Sequence, residues 1–480
     1  MSGKIFINKA ELLSSFASVL FVIVFCMVCL PMEEAIAKNA FIAAQFFAIA
    51  IISTIGMLNS TRKNPFSLRM VFWFFCFAFM FCAGITQFAK NAFRWEFVAQ
   101  ENEVITANFY VLIFMIIFAL SDMIRSKSKK KRNHKINTAK APIRNRRGLT
   151  AFILIVLLII GLFPIFQSGF SILFIRSQFE KLSITSYISN GSLGMIVGAL
   201  LRGSVLSVSL LAIRGFIQRK KFADVVMCIF ALSVCFIHLP PLGIPRYTMA
   251  YVYGGMFLYA TKIAKKKRVL LCILFFGLLV IFPAMNAFRG LYTEVVTWDF
   301  IEKSMGNISD NFATADYDAY TMLLYSIRYT REYGITWGRQ LLGVLLFFVP
   351  RSVWPAKPGG SGATIIEQMA PSYINPNVSC PIIGEGVMNF GFMGVVIFAI
   401  VLSKVLSSVD NAYWNTWRHS DCFGNLMYPV LVLFALFIFR GDLMSSFAYL
   451  FGMVVSMLGF AHLYKRKYVE RNVCEKMYDH

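Results

Sequence analysis

Residues 70–88 read MVFWFFCFAFMFCAGITQF, an apolar stretch that carries no charged side chain. A helix that crosses a lipid bilayer needs ~20 consecutive, mostly apolar residues, because no water is present there to solvate polar groups. The basic residues Arg62, Lys63 and Arg69 precede the stretch, as is common at the cytoplasmic end of a span. The stretch therefore predicts a membrane-spanning helix.

The composition extends this prediction to the whole chain. Of its 480 residues, 58% are hydrophobic and 49 are phenylalanine, and the mean hydropathy is +0.65. Soluble domains are only about half apolar. The net charge of +23 comes from short Lys/Arg clusters between apolar runs, whereas a nucleic-acid-binding protein gathers such residues on one soluble face. The composition predicts an all-α integral membrane protein and excludes nucleic acid as a partner.

Eleven further apolar stretches bring the predicted number of spans to about twelve. They cover residues 12–30, 39–58, 104–122, 149–166, 193–213, 223–239, 243–261, 269–287, 385–404, 426–440 and 443–464. Basic clusters occupy every second connection, including eleven Lys/Arg between Arg125 and Arg147. Because cytoplasmic loops carry the excess of Lys and Arg, this pattern predicts that both termini are cytoplasmic.

The connections divide the chain into four parts. Residues 1–287 hold spans one to nine with the basic cytoplasmic loop 123–148, residues 385–464 hold the last three spans, and 465–480 form a cytoplasmic tail. Between them, residues 288–384 form one long loop on the opposite side, rich in aromatic residues and therefore predicted to fold. We expect a helix near 314–333 and an apolar hairpin or re-entrant helix near 338–350, too short to cross the membrane.

Cations are concentrated on the side where the positive-inside rule does not place them. Each alone is explained by contact with lipid headgroups, but their number predicts a shared anionic ligand. One guanidinium group can donate two parallel hydrogen bonds to two phosphate oxygens, and several such groups can share one diphosphate. A lipid diphosphate that carries sugars is therefore the expected ligand. The cations are Arg246, Arg289, Arg328, Arg331, Arg339, Arg351, Lys357 and Arg440, with Arg202 inside the sixth span.

Other side chains near these cations suggest further roles. Trp354, within PRSVWPAKP, offers a flat face to a sugar ring or anchors the loop at the membrane interface. The carboxylates Asp316, Asp318 and Glu385 either neutralise the cations or accept a proton from an attacking hydroxyl. His238 is a further candidate proton acceptor, and the sequence does not rank it against the three carboxylates. Arg440 is expected either to pair with Asp442 or to contact substrate.

Four stretches together resemble the Wzy-type O-antigen polysaccharide polymerases. They are DYDAY at 316–320, FFVPRSVWPAKPGG at 347–360, IGEGVMNFGFMGV at 383–395 and FRGDL at 439–443, and the resemblance covers about residues 286–445. It implies a GT-C-like fold and a metal-independent glycosyltransferase without cofactor, in the bacterial inner membrane with its active site facing the periplasm. The growing glycan would pass from undecaprenyl diphosphate to a new lipid-linked repeat unit.

The charged residues and the resemblance together suggest roles for residues, and the resemblance implies partners. Arg289, Arg351, Glu385, Asp316 and Asp318 are predicted to be catalytic, and the remaining cations and Trp354 to bind substrate. Membrane lipids are expected partners, and contact with a chain-length regulator and a flippase is left open. No spacing typical of metal ligands or of nucleotide-binding loops occurs. Two alternatives stay open, an O-antigen ligase and a flippase or transporter of the same lipid-linked unit.

Overall fold

The computed structural model describes residues 9–130, 143–174, 179, 191–263, 266–281, 283, 308–372 and 378–465. Arg289, one of the predicted catalytic residues, lies outside these ranges. The described part is built from helices, and within it the sole β pairing is an isolated bridge between Ile143 and Lys465. An all-α architecture is therefore confirmed for the described residues.

Residues 9–281 contribute ten helices. They are α1 Lys9–Cys29, α2 Met32–Lys38, α3 Ala40–Lys63, α4 Leu68–Ala89, α5 Glu101–Lys130, α6 Arg147–Ser168, α7 Gly191–Arg219, α8 Phe222–His238, α9 over 246–261 and α10 Val269–Ile281. Residues 308–463 add α11 Ile308–Asn311, α12 Ala319–Tyr333, α13 Arg339–Leu345, α14 Ser361–Met369, α15 Ile382–Asn415, α16 Phe423–Arg440 and α17 Leu443–Leu463.

Eight of the described helices are long and apolar enough to cross a membrane, and the bent pair formed by α1 and α2 raises the number to nine. The chain is therefore a multi-pass helical membrane protein. Each of the twelve predicted spans overlaps a helix, but α8 and α10 are shorter than the eight, and α9 is not among them. Twelve spans and a GT-C-like fold accordingly stay predictions.

Helix α4, which contains the stretch 70–88, lies at the centre of the bundle. Its apolar residues are buried on every side, and a π-helical segment, Cys76–Cys82, runs through its middle. Phe72 stacks on Phe118 of α5 at a ring distance of 4.0 Å, and Phe75 lies 6.0 Å from Phe439 of α16. A helix that is apolar all round is enclosed by others, which explains the missing polar face.

The bundle has two chemically different ends. In α5, Glu103 binds Arg328 of α12 at one end, and Asp122 binds Arg69 at the other. About 28 Å separates these acids at 1.5 Å per helical residue. We call the end that carries residues 308–372 the loop end, and the end that carries Arg69, Arg214 and Lys465 the basic end.

Ion pairs tie helices together at the basic end, and the pair between Arg69 and Asp410 is buried on both sides. Arg69 lies 2.9 Å from both Asp410 of α15 and Asp122 of α5, and Asp410 is fully buried. Arg214 of α7 binds Asp421, which precedes α16. Removing one member of a buried pair typically costs about 3–5 kcal/mol because the other charge stays buried. These pairs fix the relative positions of the helix ends.

Helix α15 is interrupted, which the sequence analysis did not predict. Phe390 and Gly391 have non-helical backbone angles, with Gly391 at φ +59° and ψ −141°. The carbonyls exposed by the break are occupied, since Thr336 N–H donates to Met388 O at 2.9 Å and Gly338 N–H to Asn389 O at 3.3 Å. The predicted tenth span therefore consists of a short helix at the loop end and a long helix that follows it.

The loop end broadly follows the prediction for residues 314–350. A 3₁₀ turn, Ala315–Tyr317, precedes α12, in the region where a helix was expected. Helix α13 spans only seven residues, about 10 Å, and is too short to cross a bilayer. Gly343 of α13 lies against Pro358 and Met444, so this short helix packs on the beginning of α17.

Candidate functional site

Residues 346–358, which we call the cationic loop, are held together by their own basic side chains. The buried ammonium of Lys357 donates to Phe347 O at 2.5 Å and Val349 O at 2.9 Å. Arg351 Nη1 donates to Lys357 O at 3.0 Å, and Arg339 Nη2 donates to Ala356 O at 2.9 Å. Two guanidinium groups therefore bind consecutive carbonyls near the end of the loop, and the lysine binds two carbonyls near its start.

The charge of this group is not compensated by protein. Within the part of the chain that the structure describes, no carboxylate lies within 4.0 Å of Arg339, Arg351 or Lys357. Burial lowers the pKa of Lys357, and the neighbouring charge of Arg351 lowers it further. Carbonyl groups accept hydrogen bonds without cancelling a positive charge, so the loop presents a cationic surface.

The three cations differ in how accessible they are. Arg339 and Arg351 are exposed, whereas Lys357 is 7% exposed and donates to backbone carbonyls. We therefore assign Lys357 to positioning the loop, whereas the sequence analysis predicted a substrate contact. Trp354 is half-buried, and the apolar side chain of Val353 beside it is 74% exposed. The loop thus combines two accessible guanidinium groups with apolar surface.

A second group of predicted site residues lies where the start of α9 and the end of α16 meet residues 316–318. Arg246, at the start of α9, forms an ion pair with Asp316. Arg440, at the end of α16, lies 3.1 Å from Asp318, which also accepts a 2.6 Å hydrogen bond from Ser379 Oγ. The side chain of Asp316 is 30% exposed and that of Asp318 only 2%. Asp316 is thus the more accessible of these two acids.

Glu385 and Asp442 join the beginnings of α14 and α17. Glu385 accepts hydrogen bonds from Ser361 Oγ at 2.7 Å and Leu443 N at 3.0 Å. Asp442 accepts from Gly362 N at 3.1 Å and also caps the first turn of α17. Each carboxylate therefore receives donors from both helix N-termini, where the helix dipole favours a negative charge.

Burial is the largest influence on the pKa of Asp442. Burial raises this pKa, although the backbone N–H groups that bind the Asp442 carboxylate oppose the shift. The alternative in which Arg440 pairs with Asp442 is not what the structure shows, because the guanidinium lies against Asp318 and Ala315 O. The pair Glu385–Asp442 consequently holds two helices together without a cation of its own in the described structure.

The loop and the acids are neighbours along the chain. Ser361, which binds Glu385, is only four positions after Lys357, so their Cα atoms are at most about 14 Å apart. Gly360 lies directly on the carboxylate of Asp442, where a Cβ atom would come within 2.3 Å of Oδ2. The cationic loop therefore ends at the buried acid pair.

Three predicted binding residues lie apart from this group. Arg328 and Arg331 of α12 both bind Glu103 of α5, and Arg328 also stacks on Phe97 at 3.9 Å. Their charge is shared with one buried acid and joins α12 to α5. Arg202 in α7 faces the ring of Tyr449 at 4.8 Å, inside the bundle.

His238 also lies away from the cationic loop. Its Nε2 lies 2.7 Å from the carbonyl of Leu157 in α6, and its side chain is half-buried. The structure therefore groups His238 with the helices of the first half of the chain.

Sequence reasoning missed several polar partners of the predicted site residues. Ser361 and Ser379 bind Glu385 and Asp318, respectively, and Glu103 binds the two arginines of α12. Glu103 lies in the polar first turn of α5, so the sequence marks it as an acidic residue at a helix end. The sequence does not show that its partners are Arg328 and Arg331. The two serines carry no pattern of their own, because their partners are distant in sequence.

These observations define a multi-pass helical membrane protein with a cationic loop at one end of the bundle. At the same end lie four acidic residues, which we call the carboxylate cluster: Asp316, Asp318, Glu385 and Asp442. Among the described residues, no three His, Cys, Asp or Glu side chains converge as a metal site would require. No family model, curated protein or solved structure matches the chain.

Proposed function

We propose that this chain polymerises lipid-linked oligosaccharides at the outer face of a bacterial inner membrane. The growing glycan on undecaprenyl diphosphate is transferred to a hydroxyl of a new lipid-linked repeat unit. A C–O bond forms between the anomeric carbon and that hydroxyl, the sugar–phosphate bond breaks, and the diphosphate leaves with the bonding electron pair. The hydroxyl proton passes to a base or to solvent.

The observation that carries this proposal is the uncompensated pair Arg339 and Arg351. Both guanidinium groups are exposed, and both donate a hydrogen bond to a carbonyl of the same loop. Neither has a carboxylate partner in the described structure. Negative charge grows on the diphosphate as its bond to the sugar breaks. Cations already fixed at that position stabilise the transition state more than the ground state.

The carboxylate cluster supplies the second requirement, a proton acceptor. Asp316 is the candidate, because its side chain is partly exposed while Asp318 and Glu385 are enclosed. Its carboxylate is bound by Arg246, which fixes its position, and a general base has to be held within hydrogen-bond reach of the hydroxyl that it deprotonates. Asp318, Glu385 and Asp442 then hold the surrounding helices and loops in place.

A transporter is the second candidate, since the break in α15 resembles the discontinuous helices of transporters. Such breaks lie near the middle of the membrane. Here the part of α15 after Gly391 has 24 residues, about 36 Å, and is long enough to cross the bilayer by itself. The break therefore lies at the loop end and not at the middle of the membrane, which favours a polymerase over a transporter.

The test is the lipopolysaccharide ladder of cells deleted for this gene and complemented with variants at matched membrane levels. We expect the deletion and the double variant Arg339→Ala/Arg351→Ala to leave lipid A core with one repeat unit. The single variant Arg351→Lys keeps the charge without the planar fork and should shorten the ladder. Arg62→Ala, which removes an exposed arginine at the basic end, should restore it fully.

Two results would overturn the assignment. Full ladders from the double variant would show that the cationic loop does not bind the reacting diphosphate. Loss of even the single repeat unit from the deleted cells would indicate ligation or flipping, because polymerisation is not needed to attach one unit.

A further inference from the structure

A polar cavity opens at the basic end, far from the carboxylate cluster. Its volume is about 270 Å³, and a second cavity of about 500 Å³ adjoins it. Because one water molecule takes up only ~30 Å³ of liquid volume, the first cavity has room for a small polar ligand. Residues from four segments line it, among them Gln218, Tyr259, Lys262, Tyr413, Arg418 and Asn425.

Arg418 is held in a fixed orientation between the two cavities. Its Nε donates to His419 Nε2 at 2.7 Å, and the guanidinium carbon lies 5.1 Å from the ring centre of Trp414. No acceptor for its Nη groups occurs in the part of the chain that the structure describes. Since Arg418 lines both cavities, this donor fork is available to a ligand in either.

Lys262 supplies a second cation to the same cavity. It follows the last residue of α9 in a left-handed conformation with φ +55°, and its side chain is exposed. A lysine at a helix C-terminus interacts favourably with the helix dipole, which accounts for its position without any ligand. The dipole does not account for the arginine that faces the same cavity from a different segment.

The acid in the cavity wall does not neutralise these cations. Both carboxylate oxygens of Asp421 are bound by Arg214, and Gln218 adds a 3.2 Å hydrogen bond. Its charge is therefore matched within the protein. Lys262 and Arg418 have no carboxylate within 4.0 Å among the described residues, so the cavity carries an excess of positive charge.

We propose that this cavity binds a phosphate group, with Arg418 and Lys262 as its charged donors. Guanidinium and ammonium groups that share a concave polar site are typical of phosphate recognition. Asn425 and Gln218 provide neutral polar groups, and Tyr259 and Tyr413 form the wall against the helices. The phosphate belongs either to the headgroup of an anionic phospholipid or to a soluble compound on the basic side of the membrane.

The purified full-length chain, reconstituted in lipid nanodiscs, tests this proposal. Inorganic phosphate is titrated against thermal unfolding in nanodiscs of neutral phosphatidylcholine, with chloride at matched ionic strength as reference. In parallel, nanodiscs that contain phosphatidylglycerol are compared with neutral ones. The variants are Lys262→Ala/Arg418→Ala and Arg418→Lys. The control is Arg144→Ala, which removes an exposed arginine at the same end that does not line the cavity.

A rise in the unfolding temperature with phosphate, in the wild type and Arg144→Ala but not in the double variant, indicates a soluble phosphate compound. The same difference with phosphatidylglycerol alone indicates a lipid headgroup. We expect Arg418→Lys to weaken the response about tenfold in ligand concentration, as loss of one charge-assisted hydrogen bond does. Equal responses of the double variant and the wild type to both ligands would overturn the proposal.

Discussion

Single residues at the loop end show how tightly the site is built. Gly360 packs on Asp442 so closely that a side chain would displace the carboxylate. Lys357 uses its charge to hold the cationic loop, while Arg339 and Arg351 keep theirs available. Residues of the same type, close together in sequence, thus have different tasks because their burial differs.

The acidity of Asp442 leads to a prediction at this scale. Burial raises its pKa, so the folded chain binds more protons than the unfolded chain above the usual value of about 3.8. The free energy of unfolding contributed by this group therefore falls as pH rises through the window between the two pKa values. Acidification should therefore stabilise the wild type relative to Asp442→Asn.

Thermal unfolding of both proteins in detergent over a series of pH values measures this difference. The same pH dependence in the wild type and the variant would show that Asp442 titrates normally in the folded chain.

At the scale of elements, the break in α15 is what brings the loop and the acids together. The short helix that begins at Ile382 carries Glu385, and its C-terminal carbonyls bind the segment just before α13. Gly386 and Gly394 lie in contact on either side of the break. A continuous helix would not allow these contacts, so the cationic loop depends on the interruption.

Replacement of Gly391 tests this dependence. Its backbone angles lie in a region that only glycine adopts readily, so Gly391→Ala should destabilise the chain by about 1–3 kcal/mol. It should also impair the glycan ladder. Gly459→Ala is the matched control, because that helical glycine has no atom within 4 Å of an added Cβ. The control should be neutral or slightly stabilising.

Thermal unfolding and ladder formation measure both variants. Equal stability of Gly391→Ala and Gly459→Ala would mean that the break is not needed for the folded state.

At the scale of the whole molecule, the two ends of the bundle lead to a prediction of its orientation in the membrane. Basic clusters flank helix ends at one side, and the folded loop covers the other. The positive-inside rule predicts that the basic end faces the cytoplasm. With that orientation, the proposed reaction would take place outside and the proposed phosphate cavity would lie inside.

Site-specific labelling measures this orientation. Val353→Cys at the loop end and Arg62→Cys at the basic end both place a thiol at an exposed position. In spheroplasts, an impermeant maleimide should label residue 353 directly and residue 62 only after the membrane is permeabilised. Both variants are made in a chain from which every native cysteine has been removed, because Cys272 is exposed in the wild type and Cys474 lies outside the described residues. The reverse labelling pattern would place the proposed active site in the cytoplasm.

The sequence by itself determined that the chain is a helical membrane protein, and it placed α4 and α12 well. Those features follow from local hydrophobicity, since transfer of a segment into lipid depends on its own residues. The tertiary structure alone decided that Arg440 binds Asp318, that Lys357 is buried and that α15 breaks at Gly391. Such pairings join residues far apart in the chain, and their energies depend on burial and distance, which only the packed helices define.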